Sequence, residues 1–169
     1  MRTLIVGGGC RGLDLARDLA ADGHAVRIVT RTEAGRAAIE DAGAECWIGT
    51  PDVIGTLRYA LESVTVVLWL LGTATGDPAK VEALHGSRLR MMLEKTTDTT
   101  VRGVIFEAAG TVAPETLAAG VAEMEHARST NAIPFALIEA DPRGERAAWL
   151  EQVHAAIGGL LAGPRRVAG

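Results

Sequence analysis

Gly7, Gly9 and Gly12 stand in the spacing Gly-x-Gly-x-x-Gly between the apolar run Thr3-Leu4-Ile5-Val6 and a stretch of helical periodicity. In that setting each glycine has its own use. Gly7 permits a tight turn, Gly9 lets the backbone approach a pyrophosphate, and Gly12 lets the helix pack closely on the sheet. The helix N-terminus then presents unpaired N–H groups and a positive partial charge, which together seat phosphate. Arg11, inside the loop, is a further phosphate contact by its charge. Cys10 sits at the same helix start and reads either as a small residue packed beneath the phosphates or as a redox thiol. Strand, turn, helix and second strand fall where a dinucleotide-binding fingerprint needs them.

The end of the second strand tests which dinucleotide. An acid there would hold the 2′-hydroxyl of NAD, but the sequence reads Val29-Thr30-Arg31-Thr32. Arg31 can pair with a 2′-phosphate, and Thr30 or Thr32 can add hydroxyl hydrogen bonds. The expected cofactor is therefore NADP, with NAD kept open. Ligands lie over the carboxyl edge of such sheets, so later strand ends supply further positions. Thr50 and Asp52, in Thr50-Pro51-Asp52-Val53, would border the adenine. Leu71, Gly72 and Thr73 would pass beneath the nicotinamide ribose. Ala108, Ala109 and Gly110 would leave room for the ring.

Groups for proton transfer are harder to assign. Glu107, Glu139 and Asp141 fall at the ends of the fifth and sixth strands, on the cofactor side. A carboxylate there can act as a base if burial raises its pKa. For Glu139 and Asp141 the plainer reading is a helix cap or solvation. The only tyrosine, Tyr59, lies on an earlier element. Catalytic residues are left unassigned. No metal site is expected: Cys10, Cys46 and the scattered His24, His85, His126 and His154 have no ligand spacing.

The elements that must position these residues alternate along the chain. Strands are expected at residues 3–6, 25–29, 45–48, 64–71, 102–107 and 134–139. Helices are expected at 10–22, 32–41, 52–62, 78–95, 114–129 and 143–161, with Gly86 a weak point in the fourth. Leu13, Ala16, Leu19 and Ala20 mark the buried face of the first. Gly23 and Gly43 stop two helices, Thr32 and Asp52 can cap two others, and Pro114 suits a first turn. Gly163-Pro164 would close the last. The pattern specifies an α/β, three-layer, doubly wound Rossmann fold with a six-stranded parallel sheet of order 3-2-1-4-5-6. Six such units use nearly all of residues 1–169, read as a single domain without a separate substrate domain.

The chain has 169 residues, 48% of them hydrophobic, and a net charge of −4, which suits a globular domain and gives no reason to expect nucleic acid. Arginines are dispersed, and only Arg165-Arg166 sit together. The longest apolar run, residues 64–72, is too short to span a bilayer. The first strand begins almost at Met1, so no signal peptide is expected, and a soluble cytoplasmic protein is the default.

The run Leu4-Ile5-Val6-Gly7-Gly8-Gly9-Cys10-Arg11-Gly12 and then Gly23-His24-Ala25-Val26-Arg27-Ile28-Val29-Thr30-Arg31 resembles the atypical short-chain dehydrogenase/reductase superfamily. More narrowly, the chain is similar to its NAD(P)-binding, nucleoside-diphosphate-sugar-epimerase-like members. Gly49-Thr50-Pro51-Asp52, Leu57, Ala60-Leu61 and Val64-Thr65-Val66-Val67 continue the match, which covers about the first 75 residues well and the rest by topology. The resemblance implies a cofactor fold rather than a substrate. It also implies a Tyr-x-x-x-Lys pair on the helix after strand five, where the lysine lowers the tyrosine pKa. Residues 114–129 contain neither. Thr111 stands where the family often has a helper hydroxyl. Residues 1–169 are not expected to include the family's C-terminal substrate region.

Two functional readings follow. The first is an NADP(H)-binding or redox-sensing module without classical catalysis. The second is an NADP-dependent oxidoreductase or epimerase acting on a small-molecule substrate with a non-classical acid or base. S-adenosylmethionine binding fits less well, because Arg31 would then lack a phosphate. Leu84, Leu89, Met91, Met92, Leu93, Leu117, Val121 and Met124 give two helices more apolar surface than one sheet face needs. The resemblance implies that these helices pair into a homodimer.

Overall fold

The apolar run expected as a central strand occupies the middle of the sheet. Strand β4, Val66–Leu70, is buried at every position in the computed structural model, which describes residues 1–163. Pro164, Arg165 and Arg166 lie outside the described residues. Strand β1, Arg2–Gly7, pairs with β4 on one side and with β2, Ala25–Thr30, on the other. Beyond β2 lies β3, Glu45–Ile48, and beyond β4 lie β5, Gly103–Glu107, and β6, Phe135–Ile138. All pairings are parallel, in the order β3-β2-β1-β4-β5-β6.

Alternation along the strands divides the core into two layers. Leu4, Val6, Val67, Trp69, Val104 and Phe106 face α4, Ser87–Thr96, and α5, Pro114–Asn131. Ile5, Val66, Leu68, Leu70 and Ile105 face α1, Gly9–Ala21, α2, Arg36–Asp41, and α6, Arg146–Ala162. Because strands buried on both sides must be covered twice, this layering follows directly from the near-continuous apolar runs. On α1 the buried stripe is Gly12, Leu15, Ala16 and Leu19, whereas Leu13 and Ala20 are only half-buried.

Three helices differ from expectation. Residues 52–62 form two short 3-10 turns, Ile54–Leu57 and Tyr59–Leu61, in place of an α-helix. Ile54, Leu57 and Ala60 are buried and recur every three residues, the period that puts side chains of a 3-10 turn on one face. Thr32 caps nothing with its side chain, and a 3-10 turn, Glu33–Gly35, precedes α2. The helix expected over 78–95 breaks at Gly86, whose φ of −125° and ψ of −105° are not helical. Its first half is α3, Pro78–His85, where Asp77 Oδ1 accepts from the N–H groups of Ala79 (2.9 Å) and Lys80 (3.2 Å).

Gly120 is the contact point of α5 with the sheet. A Cβ built there would lie 2.2 Å from Phe106 Cζ, and Phe106 is fully buried. Gly to Ala in a helix interior ordinarily gains about 1 kcal/mol. Here Gly120→Ala is expected to lose about 1–2 kcal/mol by overpacking, read as a lower urea midpoint. A higher midpoint would show that the helix moves away from Phe106 without cost.

Candidate functional site

The glycine turn is built as its spacing requires. Gly7, Gly8 and Gly9 have φ of +85°, +84° and +48°, the left-handed region open to glycine. A Cβ on Gly7 would lie 2.3 Å from Leu70 O, and one on Gly12 3.1 Å from Gly7 O, so these two serve the turn and the helix-to-sheet contact. Gly9 differs: apart from its chain neighbours and its own helix backbone, a Cβ there would meet no described atom within 4 Å. Its open face and the start of α1, which receives no side-chain cap among the described residues, leave the first N–H groups facing outward. That arrangement fits the phosphates of a dinucleotide.

A cleft of about 450 Å3 opens beside this turn, along the carboxyl ends of β1, β2, β3 and β4. Gly7, Gly8 and Gly9 form one wall and Thr30 and Arg31 another. Pro51 closes one end; Leu71 and Thr73 lie at the other. Thr30 Oγ1 donates to Thr32 O at 3.3 Å, and Thr32 is exposed beyond the lining. Thr50 and Asp52 stand behind Pro51: Asp52 Oδ2 accepts from Thr50 Oγ1 (3.3 Å) and meets Arg31 Nη2 at 3.3 Å. Gly8, Ala74, Thr75 and Leu84 also line the cleft. Gly8 lay inside the motif, while Leu84 comes from α3, the helix that ends at Gly86.

The β4 and β5 ends are locked together. A Cβ on Gly72 would lie 2.0 Å from Ala109 O and one on Gly110 2.1 Å from Gly72 O, while Val112 N–H donates to Gly72 O at 3.0 Å. The smallness of Gly110 thus serves a backbone crossing. Ala108, Ala109 and Gly110 line a separate cavity of about 510 Å3 with α5, Glu139 and Asp141, not the cleft beside the glycine turn. Beneath the crossing lies Glu107, 1% exposed. Its Oε2 accepts from Gly72 N–H at 2.8 Å and its Oε1 from Trp149 Nε1–H at 3.1 Å. Burial pushes the Glu107 pKa up to about 7, against the two donors that favour the ion; the Asp141 charge adds slightly to the rise. Its position makes it a clamp between β5, the β4 loop and α6, with both oxygens occupied.

His85 is also fully buried, with Nε2 3.1 Å from Leu71 O, which places the ring proton on Nε2. Its Nδ1 has no partner among the described residues, and burial lowers its pKa while the Leu71 carbonyl opposes that. Arg11 is directed away from the cleft: Nε donates to Pro142 O (2.8 Å) and Nη2 to Gly144 O (2.5 Å), which ties α1 to the loop before α6. Cys10 is exposed at the helix start and outside the cleft lining. Asp141 is held by Arg143 Nη2 at 2.7 Å and pushed below the usual carboxylate range by that bond. Glu139 reaches the 510 Å3 cavity. Tyr59 is 67% exposed beside Ser63 and Thr100, at the opposite edge of the sheet from the glycine turn. Among the described residues there is no cluster of metal-ligating side chains, and no helix is long and apolar enough to cross a membrane.

Solved structures share this architecture. UDP-glucose 4-epimerase from Thermotoga maritima, determined with UDP-glucose, aligns with a TM-score of 0.66 at 15% identity, over 81% of this chain and 54% of its own. UDP-glucuronic acid 4-epimerase from Bacillus cereus, in complex with NAD, gives 0.66 at 14% identity, over 81% and 54%. The shared architecture is the Rossmann fold, a six-stranded parallel sheet of order 3-2-1-4-5-6 covered by helices on both faces. Vestitone reductase from alfalfa has the same Rossmann architecture, with a TM-score of 0.62 at 12% identity over 80% of this chain and 55% of its own. The Rossmann domain described here spans about half the length of each of these proteins. No family model and no curated protein matches the chain.

Proposed function

We propose that the protein binds NADP(H) along the cleft, with the pyrophosphate over Gly9 and the start of α1 and the 2′-phosphate at Arg31. One observation carries the reading: an uncapped helix start, open above Gly9, shares one cleft with an exposed arginine at the end of β2. Leu71 and Thr73 would border the nicotinamide ribose, and Pro51 the adenine, with Thr50 and Asp52 standing behind it. Arg11, tied to two carbonyls, holds the loop before α6 instead of a phosphate. The residues on α5 and the exposed Tyr59 supply no tyrosine and lysine near the site, which supports a binding or redox-sensing module.

Calorimetric titration with NADPH, NADP, NADH and NAD tests this. The phosphorylated pair is expected to bind tighter. Arg31→Glu is expected to weaken NADPH about tenfold or more and to spare NADH, through loss of a charge-assisted pair. Equal effects on both would remove the specificity assignment.

A second reading, an NADP-dependent oxidoreductase or epimerase on a small substrate, is favoured by the 510 Å3 cavity beside the β5 end, with Glu139 and Asp141 at its rim. For assembly we propose a homodimer through α4 and α5. Arg90 and Glu123 tie these helices together at 2.8 Å, and Met91 is exposed on α4.

A further inference from the structure

Arg31 does not stand free at the cleft. Its Nη2 lies 3.3 Å from Asp52 Oδ2, across the gap between the ends of β2 and β3. The two partners are not equally held. Asp52 Oδ2 also accepts from Thr50 Oγ1 at 3.3 Å, and Asp52 N–H donates to the same hydroxyl at 3.2 Å. Thr50 in turn is fastened by Thr56: its N–H donates to Thr56 Oγ1 (2.9 Å), and Thr56 Oγ1 donates within reach of both Thr50 O (3.1 Å) and Val53 O (2.8 Å). The Arg31 side chain is 65% exposed and has no other ion-pair partner among the described residues; that of Asp52 is 31% exposed. A carboxylate fixed by Thr50 therefore holds an exposed guanidinium at the cleft wall.

We infer that Asp52 is the resident counter-ion of Arg31, that a nucleotide 2′-phosphate displaces it, and that Asp52 thereby sets the preference between phosphorylated and unphosphorylated dinucleotides. The inference rests on the NADP(H) reading above. An exposed pair is weak enough to exchange partners. A phosphate is the stronger acceptor for a guanidinium, because it carries more charge. Once displaced, Asp52 remains a negative charge beside the bound phosphate and opposes it. An NAD ribose carries no such charge and leaves the ion pair intact. Asp52 thus lowers the affinity for NADPH selectively. By partly cancelling the field of Arg31, it also makes NADPH binding less sensitive to salt.

The test is calorimetry on Asp52→Asn, Arg31→Gln and the double variant, with NADPH and NADH at two salt concentrations. Asparagine keeps an oxygen to accept from Thr50 and loses the charge. NADPH affinity is expected to rise roughly fivefold in Asp52→Asn, with NADH changed less than twofold and a steeper salt dependence for NADPH. In the Arg31→Gln background the gain should be smaller than in the wild-type background, since the displaced pair is gone and only the repulsion between Asp52 and the phosphate remains. Wild-type binding of NADPH with the same NADPH-to-NADH ratio in Asp52→Asn would overturn the counter-ion role and leave the cofactor reading standing. A marked loss of NADH affinity in Asp52→Asn would also overturn it, by making Asp52 a direct ligand of the nucleotide. Failure of the wild type to bind any of the four dinucleotides would instead remove the reading on which the inference rests.

Discussion

Gly9→Ala is expected to lower dinucleotide affinity about 100-fold, close to 3 kcal/mol, while unfolding stability falls by about 1–2 kcal/mol. The asymmetry comes from what surrounds the position. Beyond its chain neighbours and its own helix backbone no described atom lies within 4 Å of the added methyl, so the protein feels chiefly the φ of +48°, an unfavourable angle for any residue with a Cβ. A pyrophosphate lying against the helix start would meet that methyl directly. Gly7→Ala makes the instructive contrast, because its methyl would fall 2.3 Å from Leu70 O and the fold would suffer first. Calorimetry and urea unfolding on the two variants separate binding from folding. Undiminished affinity in Gly9→Ala would place the nucleotide elsewhere on the molecule.

The second large effect is a pH dependence of stability set by Glu107. Its folded pKa of about 7 stands above its ordinary 4.5. Between those values the native state holds a proton that the unfolded chain has lost, so stability falls as pH rises through this window and levels off above it. The drop is about 3 kcal/mol for a shift of this size. His85 acts in the opposite sense. Its lowered pKa means that the unfolded state takes up the proton first, so its contribution is lost as pH falls below the ordinary histidine value.

Glu107→Gln isolates the carboxylate. The amide cannot titrate, and its NH2 must face one of two N–H donors, Gly72 or Trp149. The variant is expected to be about 1–2 kcal/mol less stable at pH 5, with the gap narrowing or reversing by pH 8. Urea midpoints from pH 5 to 8 report the difference profile. A constant gap between wild type and variant would mean that Glu107 is ionised throughout that range.

The sheet order and the identity of the strands were legible in the sequence because buried parallel strands leave near-continuous apolar runs, as at Val66–Leu70. The glycine turn was legible because three positions need unusual backbone or close contact at a fixed spacing. Less local features were not. Residues 54–61 repeat their apolar side chains every three positions, a period easily taken for a helix of similar length. Arg11 carries the charge of a phosphate ligand, but the carbonyls that hold it belong to Pro142 and Gly144, more than 130 residues away. The small residues after β5 suggest room for a ring, whereas Gly110 is needed where two chain segments cross. The pairing of Glu107 with Trp149 and of Arg31 with Asp52 likewise depends on which strand ends become neighbours, which only the assembled sheet decides.

The crossing of Gly72 and Gly110 divides the rim of the cleft into two mechanical regimes. On that side, backbone packs on backbone and a buried carboxylate bridges three elements, so opening requires disrupting much of the local structure. On the other side, residues 50–58 are turns stitched by threonine hydroxyls and one exposed ion pair. Amide protons near Gly72 should therefore exchange only through large-scale opening, and those around Asp52 through small, frequent fluctuations. A nucleotide entering the cleft would meet a rigid floor at one end and a yielding edge at the other, and most of the entropy lost on binding would be lost at the yielding edge.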